Sequence, residues 1–230
     1  MNITIASPNT IARSIPISSA MERHWNIPIN HAQTILDQIN NGMYARWFKG
    51  KKDLVCMDFG ANVGLVSLYM MPACRQLFCI EPTSAHYDLM RELLFDNNGS
   101  CIVKCSDFAL TGIDDEFQFA TGHSTENKVT IAGGYGNNKI RVVGRTLNFF
   151  LNLANPPVDF CKIDIEGGEM MALTLEQIKL AKGKVKTFFV EVHPAFGGGM
   201  DENREELIQR FMKGGFAVEQ IDYQTLVATG

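Results

Sequence analysis

No window of this 230-residue sequence approaches the ~20 consecutive apolar residues of a membrane-spanning helix, so no span is expected. Positive charge is not in excess either. The 21 Lys and Arg stand against 25 Asp and Glu, a formal net charge of -4. The general positive field that holds nucleic-acid phosphates is therefore missing, and nucleic acid is a second-tier partner. Repeats and single-residue runs are absent, and 46% apolar with 20% charged side chains excludes disordered, collagenous and coiled-coil chains. Paired metal-finger spacing is also lacking among the six cysteines, Cys56, Cys74, Cys79, Cys101, Cys105 and Cys161. Four of them sit in short apolar runs, which suits buried free thiols in a reducing compartment. Residues 1–5 show no basic stretch and no apolar run of signal-peptide length, so the expected location is cytoplasmic.

What is present is an alternation. After a mixed N-terminal stretch over residues 1–30 and a helical pattern at 31–44, short apolar runs at 54–57, 77–80 and 101–104 alternate with helical patterns at 64–71 and 84–95. Strand, helix, strand with short linkers reads as βαβ units and a parallel sheet buried on both faces. The expected organisation is an N-terminal arm or lid with a helix over 1–50 and one α/β domain over 51–230. Residues 116–143 break the pattern with a Gly- and Asn-rich stretch, Gly133, Gly134, Gly136, Asn137 and Asn138, which predicts an inserted antiparallel hairpin between 128–131 and 140–143. The parallel pattern resumes at 158–163. A helix over 170–181, a mixed strand over 185–192 and a helix over 201–212 follow, and the runs 217–221 and 225–228 predict an antiparallel edge pair.

The segment from Leu54 to Leu65 runs from an apolar strand into Asp58, then Gly60, Ala61, Asn62 and Gly64. Glycines at a strand-to-helix turn let a ligand approach the backbone. The spacing D-x-G-x-N-x-G departs from the G-x-G-x-x-G of dinucleotide-binding folds, and a carboxylate at the strand end suits a cationic amine better than a pyrophosphate. S-adenosylmethionine, which carries an ammonium and a sulfonium and no phosphate, fits this loop better than NAD. The second strand ends at Glu81-Pro82, where an acid would accept both hydroxyls of a ribose. The third leads to Asp107 and Phe108, an acid for an adenine amino group and a ring to pack on it. Structural roles compete for each acid: Asp58 as a helix cap, Glu81 as a surface charge, Asp107 as a turn residue.

Asp58 to Gly64, Glu81-Pro82, Arg145-Thr146-Leu147, the block Lys162-Ile163-Asp164-Ile165-Glu166-Gly167-Gly168-Glu169 and Glu191-Val192-His193 together resemble the successive motifs of the FkbM-type methyltransferases, a class I S-adenosylmethionine-dependent family. The resemblance covers about residues 54–221. It implies a Rossmann-like sandwich with a mostly parallel seven-stranded sheet and methyl transfer, commonly to a hydroxyl oxygen and often on a sugar.

On the acceptor side, one strand leads into Asp164, Glu166 and Glu169, and the next into Glu191 and His193. Ligands of open α/β sheets bind beyond the carboxyl ends of the strands, so both groups should face one crevice. Removing a hydroxyl proton requires a base, and His193, expected to be largely neutral near pH 7, is the first choice, with Asp164 and Glu191 beside it. The same three residues also form a donor set for Mg²⁺ or Mn²⁺. Structural readings remain beside these: Asp164 and Glu166 as helix caps, and Glu169 as an anchor for Lys162 or the loop. Asn155-Pro156-Pro157 lacks the following aromatic of amino-methyltransferase signatures and precedes its strand, so it reads as a loop and not as a base clamp. The competing functions are an NAD-linked oxidoreductase, an N-methyltransferase acting on nucleic acid or protein, and a binding module without catalysis.

Overall fold

The computed structural model describes residues 2–8, 13–16, 29–121, 128–129, 138–155, 157–194 and 199–230. The two N-terminal strands, β1 (Asn2–Ile5) and β2 (Arg13–Pro16), pair antiparallel, and the helices α1 (Ile29–Asn40) and α2 (Ala45–Phe48) follow. The alternation then starts: β3 (Leu54–Phe59), α3 (Leu65–Met70), β4 (Cys74–Ile80), α4 (Ser84–Phe95) and β5 (Ile102–Ser106). After the strands β6 (Ala109–Leu110), β7 (Asp115–Thr121), β8 (Lys128–Val129) and β9 (Asn138–Arg145) comes α5 (Leu147–Ala154). The chain continues through β10 (Phe160–Ile163), α6 (Glu169–Ala172), α7 (Leu175–Ala181), β11 (Thr187–Glu191), α8 (Met200–Lys213), β12 (Ala217–Gln220) and β13 (Thr225–Thr229).

Seven strands form one sheet in the order β12-β13-β11-β10-β3-β4-β5, parallel except for the antiparallel β13. Side chains alternate between its faces. Cys56, Phe160 and Phe189 pack with Leu36, Phe48, Leu68 and Leu93 on one face. Val55, Met57, Cys161, Ile163 and Val190 pack with Phe150, Ile178 and Phe211 on the other. Helices thus cover both faces, the two-sided burial expected from wholly apolar runs. Ile39, Tyr44 and Phe48 share a core with Leu65 and Leu77, so the chain from α1 onward packs on the sheet directly.

Two local expectations are corrected and a third holds. The inserted antiparallel pair is β7 with β9, from Asp115↔Gly144 to Thr121↔Asn138, and β8 joins the outer side of β7 instead of pairing with β9. Phe117, Val142 and Ala109 give that pairing its own small apolar cluster. Most of the Gly-rich stretch lies outside the described residues. The predicted single helix at 170–181 is two, because the chain leaves helical geometry at Leu173 and Thr174 caps α7 by accepting from Gln177 N at 3.2 Å. The C-terminal runs form the expected antiparallel pair at one edge of the sheet, with β13 between β11 and β12. Burial explains the order: Thr225 to Ala228 are all buried, whereas most of β12 is exposed.

Candidate active site

The sheet reverses its winding at β3: the chain proceeds outward through β4 and β5, then returns to place β10 and β11 on the other side. Such a switch point opens a crevice at the carboxyl ends of the strands. A cleft lies there, lined from the β3–α3 loop (Gly60, Ala61, Asn62), from the end of β4 (Glu81, Pro82), from Phe108, and from Lys162 and Asp164.

The first loop is held tightly. Gly60 has φ +73°, and a Cβ placed on it would lie 1.7 Å from the carbonyl oxygen of Asp164. The glycine is therefore required by the chain's own close approach from β10, and not only by room for a ligand. Glu81 pins the loop, its Oε2 accepting from Asn62 N at 3.0 Å and its Oε1 from Thr83 N at 2.9 Å. Asn62 is itself left-handed, with φ 52°, and its Oδ1 accepts from Val63 N. Gly64, at φ 87°, begins α3.

Behind the loop lies a buried charge pair. Register sets Lys162 of β10 directly opposite Asp58 of β3. Lys162 Nζ lies 3.3 Å from Asp58 Oδ1 and 3.2 Å from Asp164 Oδ2, and Ser67 Oγ donates to Asp58 Oδ2 at 2.7 Å. Burial works against the charged lysine, but Asp164 and Asp58 outweigh it and hold Lys162 protonated well above its usual range.

Beyond the end of β10 the groups converge on His193. Glu169, fully buried at the start of α6, accepts from Ile165 N at 3.0 Å and Gly167 N at 3.3 Å, and its Oε1 lies 3.1 Å from His193 Nδ1. Nε2 on the other side of the ring faces Glu166 Oε2 at 3.7 Å and Asp164 Oδ1 and Glu191 Oε1 at 3.9 Å each. Burial disfavours the imidazolium, yet the hydrogen bond and charge of Glu169, with Asp164 and Glu166, raise His193 from 6.5 to about 9. Burial pushes Glu166 and Glu191 up to about 7, and Asp164 adds to both. The expected largely neutral His193 is thus corrected: at pH 7 it carries its proton, because carboxylates crowd it from both sides.

The acids expected at the strand ends therefore separate. Asp164 and Glu166 line the cleft, Glu191 and His193 lie against them, and Asp164, Glu191 and His193 present donor atoms all within 4.8 Å of one another, a set that would hold a divalent ion. Glu81 and Phe108 line the cleft, whereas Asp107 is exposed and does not. Asp58 does not line it either; its carboxylate acts through Lys162. Glu169 anchors the loop and His193, not Lys162. Sequence reasoning missed Lys162 as the cation of the cleft and missed Tyr44 on its wall, since only strand register and helix packing bring them there.

A family model described as the methyltransferase FkbM domain matches residues 58–218. No curated protein matches the chain. Among solved structures, the chain is similar to the Methanococcus jannaschii fibrillarin pre-rRNA processing protein at 13% identity, covering 78% of this chain and 67% of that one with a TM-score of 0.49. A putative methyltransferase from Escherichia coli is 12% identical over 99% and 96% of the two chains with a TM-score of 0.48. A SAM dependent methyltransferase from Aquifex aeolicus is 12% identical over 93% and 97% with a TM-score of 0.47.

Proposed function

From the premise that this chain belongs to the FkbM methyltransferase family and is an S-adenosylmethionine-dependent methyltransferase, we propose that it methylates a hydroxyl oxygen of a sugar or another small polar molecule. The cleft suits the methyl donor. Its wall carries Asp164, Glu166 and Glu81 toward a ligand bearing two positive centres. Gly60, Ala61, Asn62, Gly64, Glu81, Pro82 and Phe108 would hold it, with Asp58 supporting through Lys162. The bound donor supplies an electrophilic methyl on a sulfonium.

The single observation that carries the hydroxyl reading is the arrangement around His193. Glu169 binds Nδ1, which fixes the tautomer in which the neutral ring keeps its Nε2 lone pair free. Nε2 opens toward Asp164, Glu166 and Glu191, which would position the acceptor's hydroxyls. In its neutral form His193 would take the acceptor hydroxyl's proton at Nε2, a role in which a placed base contributes ~10²–10⁴-fold in rate. The acidic rim favours a neutral or cationic acceptor over a polyanion, and so a small molecule over nucleic acid.

A second reading assigns Asp164, Glu191 and His193 to Mg²⁺ or Mn²⁺. The close convergence of their donor atoms favours it, and two carboxylates with an imidazole suit either ion.

The test is transfer of a labelled methyl group to panels of sugars, peptides and RNA, with binding of S-adenosylhomocysteine and NAD measured in parallel. Label on a sugar or other alcohol, lost in His193→Ala, is the expected result. Label confined to RNA or to a peptide nitrogen would overturn the hydroxyl reading, and NAD binding without S-adenosylhomocysteine binding would overturn the enzyme class.

A further inference from the structure

Tyr44 lies upstream of the matched family segment, in the turn between α1 and α2, yet it lines the cleft. It is 1% exposed. Its ring packs at a tilt against Tyr69 and Phe189, with centroids at 6.1 and 5.0 Å and interplanar angles of 44° and 48°. Its hydroxyl has no hydrogen-bond partner among the described residues, and it is not one of the fully enclosed unpaired atoms. Burial raises the phenol above its ordinary range, against the cation of Lys162, so the group stays a neutral donor at working pH.

The surroundings narrow what that donor serves. The five consecutive N–H groups of the first loop are already bonded: Gly60 and Ala61 to Ile80 O, Asn62 to Glu81, Val63 to the Asn62 side chain and Gly64 to Ala61 O. An anionic group in the cleft finds no donor there. Among the described residues lining the cleft, Lys162 is the one Lys or Arg. Its ammonium donates to Asp164 and lies 3.3 Å from Asp58, and with three protons it has donor capacity left for a ligand. The remaining wall near it is acidic and suits an ammonium.

Resting on the methyltransferase reading above, we propose that Tyr44 and Lys162 together receive the carboxylate at the amino-acid end of the methyl donor, Tyr44 by donating its hydroxyl proton in a hydrogen bond. The ammonium of the same end faces the acidic wall at Asp164. The N-terminal helical segment is then part of the cofactor site and not only a cover over the acceptor.

Calorimetry on the full chain tests this with S-adenosylhomocysteine, which carries the amino-acid end, and 5′-methylthioadenosine, which lacks it. Tyr44→Phe keeps the ring packing and removes only the hydroxyl. The expected result is about tenfold weaker S-adenosylhomocysteine binding, the scale of one hydrogen bond to a charged group. Binding of 5′-methylthioadenosine and the thermal midpoint of the ligand-free protein should stay unchanged, because the lost hydroxyl has no protein partner. Equal S-adenosylhomocysteine affinity in the variant, or equal weakening for both ligands, overturns the proposal. Wild-type protein that binds neither ligand overturns the cofactor reading itself, a separate outcome.

Discussion

Glu169 Oε1 lies 3.1 Å from His193 Nδ1 across a turn that the same oxygen holds through Ile165 N and Gly167 N. One buried carboxylate therefore shapes the β10–α6 loop and sets the tautomer and charge of the histidine.

That relationship predicts the pH dependence of transfer. His193 titrates near 9, so with His193 as base the rate should rise with pH and level off above that value. Glu169→Gln keeps the shape but removes the charge, which lowers the histidine's pKa and moves the midpoint to lower pH. A pH–rate series on both proteins checks this; a profile unmoved by the substitution would remove Glu169 from the role.

Stability should fall with rising pH. His193 is raised above its ordinary 6.5, so its contribution is complete below that value and is lost as pH rises through about 9. Glu166 and Glu191 are raised from 4.5 to about 7, so folding favours their protonated forms, a contribution complete below 4.5 and lost as pH rises through 7. All three act in one direction. Thermal midpoints at graded pH should decline from mildly acidic to alkaline conditions, less steeply in His193→Gln.

Lys162→Met should destabilise the protein by about 3–5 kcal/mol, since it leaves Asp58 buried beside Asp164 without a cation. Chemical denaturation measures the loss. The double variant Lys162→Met/Asp58→Leu should recover part of it, because no uncompensated charge then remains at position 58.

Gly60→Ala should abolish S-adenosylhomocysteine binding and lower the thermal midpoint. The added methyl meets the Asp164 carbonyl, and the backbone there is left-handed. Wild-type affinity in this variant would refute the tight approach of the two loops.

If Asp164, Glu191 and His193 hold a divalent ion, chelation with EDTA should remove activity and Mg²⁺ or Mn²⁺ should restore it. Unchanged rates in chelator would leave the three residues to the metal-free role.

Much of this architecture was legible in the sequence because a strand buried on both faces must be mostly apolar, and β3, β4 and β10 are so apart from Asp58, Arg75, Gln76 and Lys162. The first loop was legible for a related reason: Gly60 and Gly64 occupy backbone conformations that other residues resist. The break at Leu173 and the pairing of β7 with β9 were not, since Thr174 has an apolar helical pattern on both sides and the partner of a strand is chosen by packing at a distance.

The sequence by itself determined the alternation of elements, the glycine turn and the set of acids at strand ends, all set by local periodicity and local backbone geometry. Tertiary structure alone decided what those acids face. Register put Lys162 opposite Asp58, the β10–α6 turn brought Glu169 to His193, and packing of α1 and α2 brought Tyr44 to the cleft wall. Charge state followed from that assembly, because burial and neighbouring charge exist only once the chain is folded.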